Sequence, residues 1–364
     1  MAMDKFMSDH IPNTAQAQRV TAITCMRNDG SYVLEWIAHH LALGVEHFVV
    51  LTHDCTDGTP ELLNALQEVG LVTHLPFIRK GRVTAQWQAF KLAWQEPRVQ
   101  SSDWVMFFDC DEFLWLDATY PKLNDLLKDI DAADAIALPW RLFGSDGLEA
   151  RGEEITPRRF QKSAPADLQF PMAHLFKTLF RPSKFAKPGV HRPKRDKDMP
   201  MPVWAGPDGA ALAQAFVAQE ANISLFNQNF GAHKVGLNHY SLRSMREFAV
   251  KADRGLPNHM TKIIGVDYWV ERNWNTEENT RILPQLEATE AVLADLLCND
   301  NIRQAYQVCL DHYLMRDRAL DLDLQKIRLI WQLGLLSENR LPSRDDVKRY
   351  INQQNVARKS QINE

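Results

Sequence analysis

Short apolar runs alternate with amphipathic stretches from Val20 to Phe113. Val20–Thr24 is a β-type run, and a polar turn follows at Cys25–Gly30. Ser31 then caps a helix in which Val33, Ile37 and Leu41 share one face, and Gly44 stops it. Val45–Leu51 is almost continuously apolar, the pattern of a strand buried on both faces. After the polar loop Thr52–Gly58, Pro60 stands at the start of a helix that Gly70 closes. Leu71–Phe77 predicts a third strand, Val83–Gln95 a helix, and Trp104–Phe108 a fourth strand. That fourth strand runs directly into Asp109, Cys110, Asp111 and Glu112.

Strands alternating with helices at this spacing predict an α/β fold, a Rossmann-like, mostly parallel sheet flanked by helices. Ligands on such sheets bind beyond the carboxyl ends of the strands. The topology therefore gathers three polar segments that are distant in sequence: Arg27–Gly30, Thr52–Asp57 and Asp109–Glu112. Residues 113–240 are richer in Pro and Gly and complete the sheet with loops. Ser244 and Glu247 form a capping-box pattern that starts a helix running to about Asp253. From about Thr280 the pattern is helical, with Leu283, Leu286, Val292, Leu296, Ile327, Ile330 and Leu333 as apolar positions. The organisation expected is a flexible leader at 1–18, a catalytic α/β unit at 19–280 and a helical appendage at 281–364. The appendage offers surfaces for packing, for pairing of copies and for peripheral membrane contact.

The 364 residues include 42 Lys+Arg against 46 Asp+Glu, a net charge of −4, so a general nucleic-acid binder is not expected. The five cysteines are scattered without a CxxC pair, which argues for a reducing compartment rather than a disulfide framework. The polar start lacks the apolar stretch of a signal peptide, and no apolar run is long enough to span a bilayer. A cytoplasmic location is the resulting expectation.

The acidic turn after the fourth strand carries the chemistry. Two carboxylates two residues apart can face one hard divalent cation, Mn²⁺ or Mg²⁺, while substrate phosphates supply further oxygens. Taken alone, the pattern also fits a solvated acidic turn. The pair His39 and His40 lies inside a helix, where adjacent side chains diverge, so a shared metal is not expected.

Met26 to Gly30, Leu34-Glu35-Trp36, His40, Gly44 to Phe48, Asp54 to Thr59 and Asp103 to Phe113 together resemble the family-2-like glycosyltransferases. More narrowly they are similar to the family 92 (galactosyltransferase-type) branch. Trp140 to Gly144, Lys177 to Pro182, His191, Asn238-His239-Tyr240, Ser244, Glu247, Lys251 and Arg254-Gly255 extend the likeness. Asp29 departs from the Glu more usual there, and Thr52-His53 from an acidic pair. The resemblance implies a GT-A fold with a nucleotide-sugar donor, UDP-linked, and a glycan or lipid-linked acceptor. It implies inverting transfer. It also implies that Asp111 ligates the metal, that Asp109 meets the ribose or metal-bound water, and that His239 is the third protein ligand. Arg27, Asn28, Asp29, Asp54 and Asp57 would bind the nucleoside, or else simply form turns. Arg243, Lys251 and Arg254 would reach the diphosphate; for Lys251 a surface pair with Glu247 is the alternative. Asp146 and Glu112 are the candidates for the general base.

Lys177, Arg181 and His191 form a second basic set, and the run from Arg192 to Lys197 reads as a solvated loop. Among the tryptophans, Trp140 and Trp204 are expected to line an acceptor cleft and Trp104 to be core. Two other functions fit the same sheet. A nucleotidyltransferase is one, although the first loop lacks a Gly-rich basic phosphate cradle. A non-catalytic glycan-binding protein is the other.

Overall fold

The computed structural model describes residues 18–254, 264–337, 343–345, 347–348 and 351–352. The leader therefore lies outside the described residues except for Gln18, whose main-chain N–H donates to Asn124 Oδ1 at 3.0 Å. Eleven strands are described: β1 (Val20–Met26), β2 (His47–Thr52), β3 (Val72–Pro76), β4 (Trp104–Phe107), β5 (Glu112–Leu116), β6 (Ala135–Leu142), β7 (Lys162–Ser163), β8 (Phe176–Phe180), β9 (Trp204–Ala205), β10 (Val235–His239) and β11 (Glu277–Glu278). The main sheet runs β3-β2-β1-β4-β8-β6-β10-β5, with β9 beside β6.

The first four strands in that order are mutually parallel, as their near-continuous apolar character requires. Beyond β4 the sheet is mixed, because β8 runs antiparallel to both its neighbours and β5 antiparallel to β10. Two registers position the site. Met26 pairs with Thr52, so the loops after β1 and β2 leave the sheet side by side. His239 lies opposite Glu112 on β5 and opposite Leu142 on β6, which delivers a late histidine to the acidic turn.

Each sheet face has its own apolar layer. One gathers Trp36, Phe48, Val50, Met106 and Phe108, the other Ile23, Val49, Leu51, Phe90 and Phe107. Alternate residues of the same strand go to opposite layers, as the two-residue period dictates. The helix at Gly30–Ala42 is buried along its whole length. Ser31 is not its cap; it sits in the first turn, and the Gly30 N–H is received by Asp57 instead.

The C-terminal helices (Leu286–Leu297, Asp300–Leu320 and Leu324–Leu335) join this architecture. Leu286, Val292, Leu296, Ile302, Cys309 and Tyr313 belong to the same apolar layer as Trp36 and Leu41. His39 and His40 brace that packing. His39 joins Thr289 Oγ1 at 3.0 Å and the Leu114 carbonyl at 2.6 Å, and His40 Nε2 accepts the Leu114 N–H at 3.2 Å. Burial pushes the His39 pKa down to about 4, so the ring is a neutral structural group. Among the described residues no helix is long and apolar enough to cross a membrane.

Candidate functional site

The loops after β1 and β2 are locked to each other. Asp57 Oδ2 accepts the N–H of Gly30 at 3.0 Å, while Oδ1 accepts the N–H of Thr59 at 3.0 Å. One carboxylate thus receives the first amide of two helices, where the orphan donors and the helix dipoles favour negative charge. Asn28, at φ 55°, accepts the Thr56 N–H on Oδ1 at 2.7 Å. Asp54, at φ 47°, carries a half-exposed carboxylate 3.1 Å from His53 Nδ1. Asp29 is paired with Arg254, whose guanidinium also donates to the carbonyls of Arg27 at 2.7 Å and Asn28 at 3.0 Å. Asn28, Asp29 and Asp57 therefore act first as turn and helix-end chemistry.

The acidic turn is built around a buried cation. Lys177, at the start of β8, is fully buried; its Nζ donates to Asp109 Oδ2 at 2.9 Å and lies 3.7 Å from Glu112 Oε1. The other Asp109 oxygen accepts from Gln86 Nε2 at 3.0 Å. Glu112 Oε2 accepts the Asp109 N–H at 2.8 Å, so this carboxylate closes the turn. Burial pushes the Glu112 pKa well up, against the pull of Lys177. Burial works against the Lys177 ammonium as well, but Asp109 and Glu112 outweigh it and raise its pKa. Glu112 is 0% exposed and cannot take a proton from an acceptor, which corrects that expectation.

Asp111 faces the other way. Its Oδ2 accepts from Lys251 Nζ at 2.7 Å, and its Oδ1 lies 3.5 Å from His239 Nε2. Burial opposes its charge, yet Lys251 and His239 hold the carboxyl well below the usual range. Burial lowers the His239 pKa despite Asp111, keeping the imidazole available as a neutral nitrogen donor. Among the described residues no group of three His, Cys, Asp or Glu side chains converges as a metal cluster. The donors that fit a divalent cation are two, Asp111 Oδ1 and His239 Nε2, a set that relies on substrate oxygens to complete the coordination. Asp109 points away from this pair, accepting from Gln86 on one oxygen and from Lys177 on the other while keeping a partly exposed edge.

The helix at Met245–Arg254 carries Lys251 to Asp111. Its capping box forms, with Ser244 N–H donating to Glu247 Oε2 at 3.1 Å and Glu247 N–H to Ser244 Oγ at 3.4 Å. The Glu247–Lys251 pair does not form. Glu247 is taken by Arg159 at 2.7 Å and by the Tyr32 hydroxyl at 3.2 Å, which frees Lys251 for Asp111 and the Ser241 carbonyl. Arg243, at φ 59°, is buried with its guanidinium 3.7 Å over the Tyr32 ring.

Two cavities flank this centre. One, of about 230 Å³, is lined by Arg27, Arg243, Lys251 and Arg254, and by His312 and Arg316 from the Asp300–Leu320 helix. The other, of about 640 Å³, is lined by Trp115, Trp140, Arg141, Phe226, Phe230 and Arg281 among others. Trp140 connects it to the centre, its ring centroid standing 4.3 Å from that of His239.

Several expected site residues lie elsewhere. Asp146, at φ 51°, gives its two oxygens to the N–H groups of Gln161 and Lys162, each at 3.0 Å, and so latches a loop rather than offering a free base. Trp204 is core, covered by Arg192 at 4.6 Å, and Trp104 is core as expected. Arg192 is buried and donates to the carbonyls of Phe216, Gln219 and Asn222, so the basic run begins as a main-chain staple rather than a solvated loop. Arg181 stacks 4.4 Å over Trp104. Gln86 and the cavity-lining residues of the C-terminal helix were not expected from the sequence. A signal for the buried role of Lys177 did exist, since a lysine inside the apolar run Phe176–Phe180 must find buried acids.

Residues 23–199 match the family model described as Glycosyltransferase family 92. A glycosyltransferase family 92 protein of Oryza sativa subsp. japonica is 28% identical over 116 residues, 31% of this chain and 19% of the relative. One of Ricinus communis is 32% identical over 98 residues, 26% of this chain and 16% of the relative. The chain thus matches less than a fifth of the length of these relatives. Among solved structures, S. aureus TarS 1-349 is 13% identical, with 92% of each chain covered and a TM-score of 0.32.

Proposed function

We propose, from the match of residues 23–199 to the glycosyltransferase family 92 model, that this chain transfers a sugar from a nucleoside-diphosphate donor, UDP-linked, to a hydroxyl of a glycan or lipid-linked acceptor. The observation that carries the reading is the position of Asp111. It stands past the end of a parallel strand, gripped by Lys251 on one oxygen and facing His239 at 3.5 Å on the other; Lys251 lines the cationic cavity, and Trp140 beside His239 lines the aromatic cleft. A leaving diphosphate needs fixed positive charge, and Arg27 and Lys251 line a cavity that Lys251 joins to Asp111 through its 2.7 Å hydrogen bond. Arg254 stiffens the first loop, and the neutral His239 holds its Nε2 toward Asp111.

Asp111 and His239 are the residues that would hold Mn²⁺ or Mg²⁺. Such an ion supplies charge neutralisation to a departing phosphate. The donor enters the cationic cavity, and the acceptor approaches along Trp140 from the larger cleft. Asp109, with the Asp109–Glu112 turn clamped by Lys177, presents its partly exposed edge to the donor's ribose.

The test is release of nucleoside diphosphate from a panel of UDP-sugars, with and without Mn²⁺. Turnover that Asp111→Asn lowers by about 10²-fold or more is the expected outcome. Absence of turnover with every donor, or an undiminished Asp111→Asn variant, overturns the proposal.

A further inference from the structure

The larger cleft carries an electrostatic imbalance that the proposed chemistry leaves unused. Its walls combine aromatic faces with cations. Trp115, Trp140, Phe226 and Phe230 line it together with Arg141, Arg281 and Arg344. None of these three arginines forms an ion pair with a described acid. The single acidic side chain in the lining is Asp167, which is exposed.

Arg141 sits near the end of β6, next to Trp140. One edge of its guanidinium is fixed, with Nη1 donating to the Ala164 carbonyl at 2.9 Å. Arg281 lies with its guanidinium carbon 5.3 Å from the centre of the Trp115 ring. The two cations repel each other across a partly buried space; burial and Arg281 push Arg141 down to about 10, while Glu277 and Asp167 offset this only from a distance. Trp140 adds a buried indole N–H without a hydrogen-bond partner. Arg141 is half-buried while Arg281 and Arg344 are exposed, so the cleft presents an excess of positive charge that an anion with acceptor oxygens would complete. Guanidinium forks suit carboxylate and phosphate oxygens, and flat indole faces suit the apolar face of a sugar ring.

We infer that this cleft binds an acceptor glycan carrying negative charge, as a uronate carboxylate or a phosphate ester, with Arg141 and Arg281 as its specificity-determining residues. The inference rests on the glycosyltransferase reading for the word acceptor, but the anion site itself does not. Trp140 supplies the link, touching His239 on one side and lining the cleft on the other.

Calorimetric titration of the full chain tests it with three probes of equal length: an oligogalacturonate, a phosphorylated oligohexose and a neutral oligohexose. At least one anionic probe is expected to bind about tenfold or more tighter than the neutral one, with the difference shrinking as salt rises. Arg141→Gln combined with Arg281→Gln is expected to erase that preference, and the anionic arm that loses affinity identifies the charged group. Equal binding of all three probes by the parent chain, no binding of either anionic probe, or an unchanged preference in the double variant each overturns the inference. The salt and probe comparisons use the parent chain, so they stand even where the variant folds poorly. Donor turnover measured on the same preparation separates the two proposals. Turnover without anion preference sinks only this one, and anion preference without turnover sinks only the transferase reading.

Discussion

Lys177 shows what one side chain does in this fold. Its ammonium is sealed inside the sheet against Asp109 and Glu112, and those two carboxylates are its close counter-charges. Lys177→Met is therefore expected to cost about 3–5 kcal/mol, because it leaves the buried Glu112 and the partly exposed Asp109 without their cation. Adding Glu112→Gln removes one of the stranded charges and is expected to recover part of that loss. Urea unfolding of the two single variants and the double variant checks the coupling, and strictly additive losses refute it. Asp146→Asn separates a latch from a base. A latch loses about 1–2 kcal/mol of stability with turnover changed only a few-fold, whereas a base loses about 10²–10⁴ in rate. The residue types at the centre were readable in advance, since Asp109, Asp111, His239 and Lys251 all meet there. Their pairings were not, because a hydrogen-bond partner across 140 residues of sequence leaves no local pattern.

At the scale of elements, the strands and major helices announced themselves through period and punctuation, and errors fell at their ends. The first helix starts at Gly30 rather than after a Ser31 cap because a better acceptor, Asp57, arrives from the neighbouring loop. Asp57→Ala leaves the first amides of two helices without their acceptor, so a loss of about 1–3 kcal/mol in chemical denaturation is expected. A loss below about 0.5 kcal/mol would show that solvent satisfies both ends. The capping box at Ser244 and Glu247 was legible from four residues, but its second duty was hidden. Burial raises the cost of charge on Glu247, yet the Arg159 hydrogen bond and charge hold its pKa down to about 2. A depressed folded pKa contributes stability above the unfolded value near 4.5 and loses it as pH falls toward 2. That contribution is about 3 kcal/mol at neutral pH. Glu247→Gln should therefore lower stability at pH 7 and flatten the stability profile between pH 4.5 and 2, read from urea midpoints across that range. A profile as steep as the parent's places the acid sensitivity elsewhere.

For the whole molecule, the helical C-terminal region shares the apolar layer of the sheet and lines a cavity with His312, Tyr313 and Arg316. Sequence period alone recognised those helices but not where they dock, since an amphipathic stripe names a face and not its partner. One docking point of the Asp300–Leu320 helix is Gly30. A Cβ there would stand 2.5 Å from Cys309 Sγ and 2.9 Å from Thr59 Oγ1, so the Asp300–Leu320 helix rests directly on the start of the first helix. Neither backbone strain nor solvent is involved; the constraint is contact. Gly30→Ala forces Cys309, its helix or Thr59 to shift, and overpacking of this kind costs about 1–3 kcal/mol. A shift of the helix would move Arg316 and His312 relative to Arg27 and Arg243, so affinity for UDP is then expected to fall together with stability. Cys309→Ala in the same chain removes the nearest atom but leaves Thr59 Oγ1 and the Cys309 Cβ at 3.0 Å, so only partial recovery of both quantities is expected. Urea midpoints and UDP titration of the parent, Gly30→Ala and the double variant measure the two effects side by side. Stability falling while UDP affinity holds would show that the C-terminal helices support the fold without shaping the donor cavity.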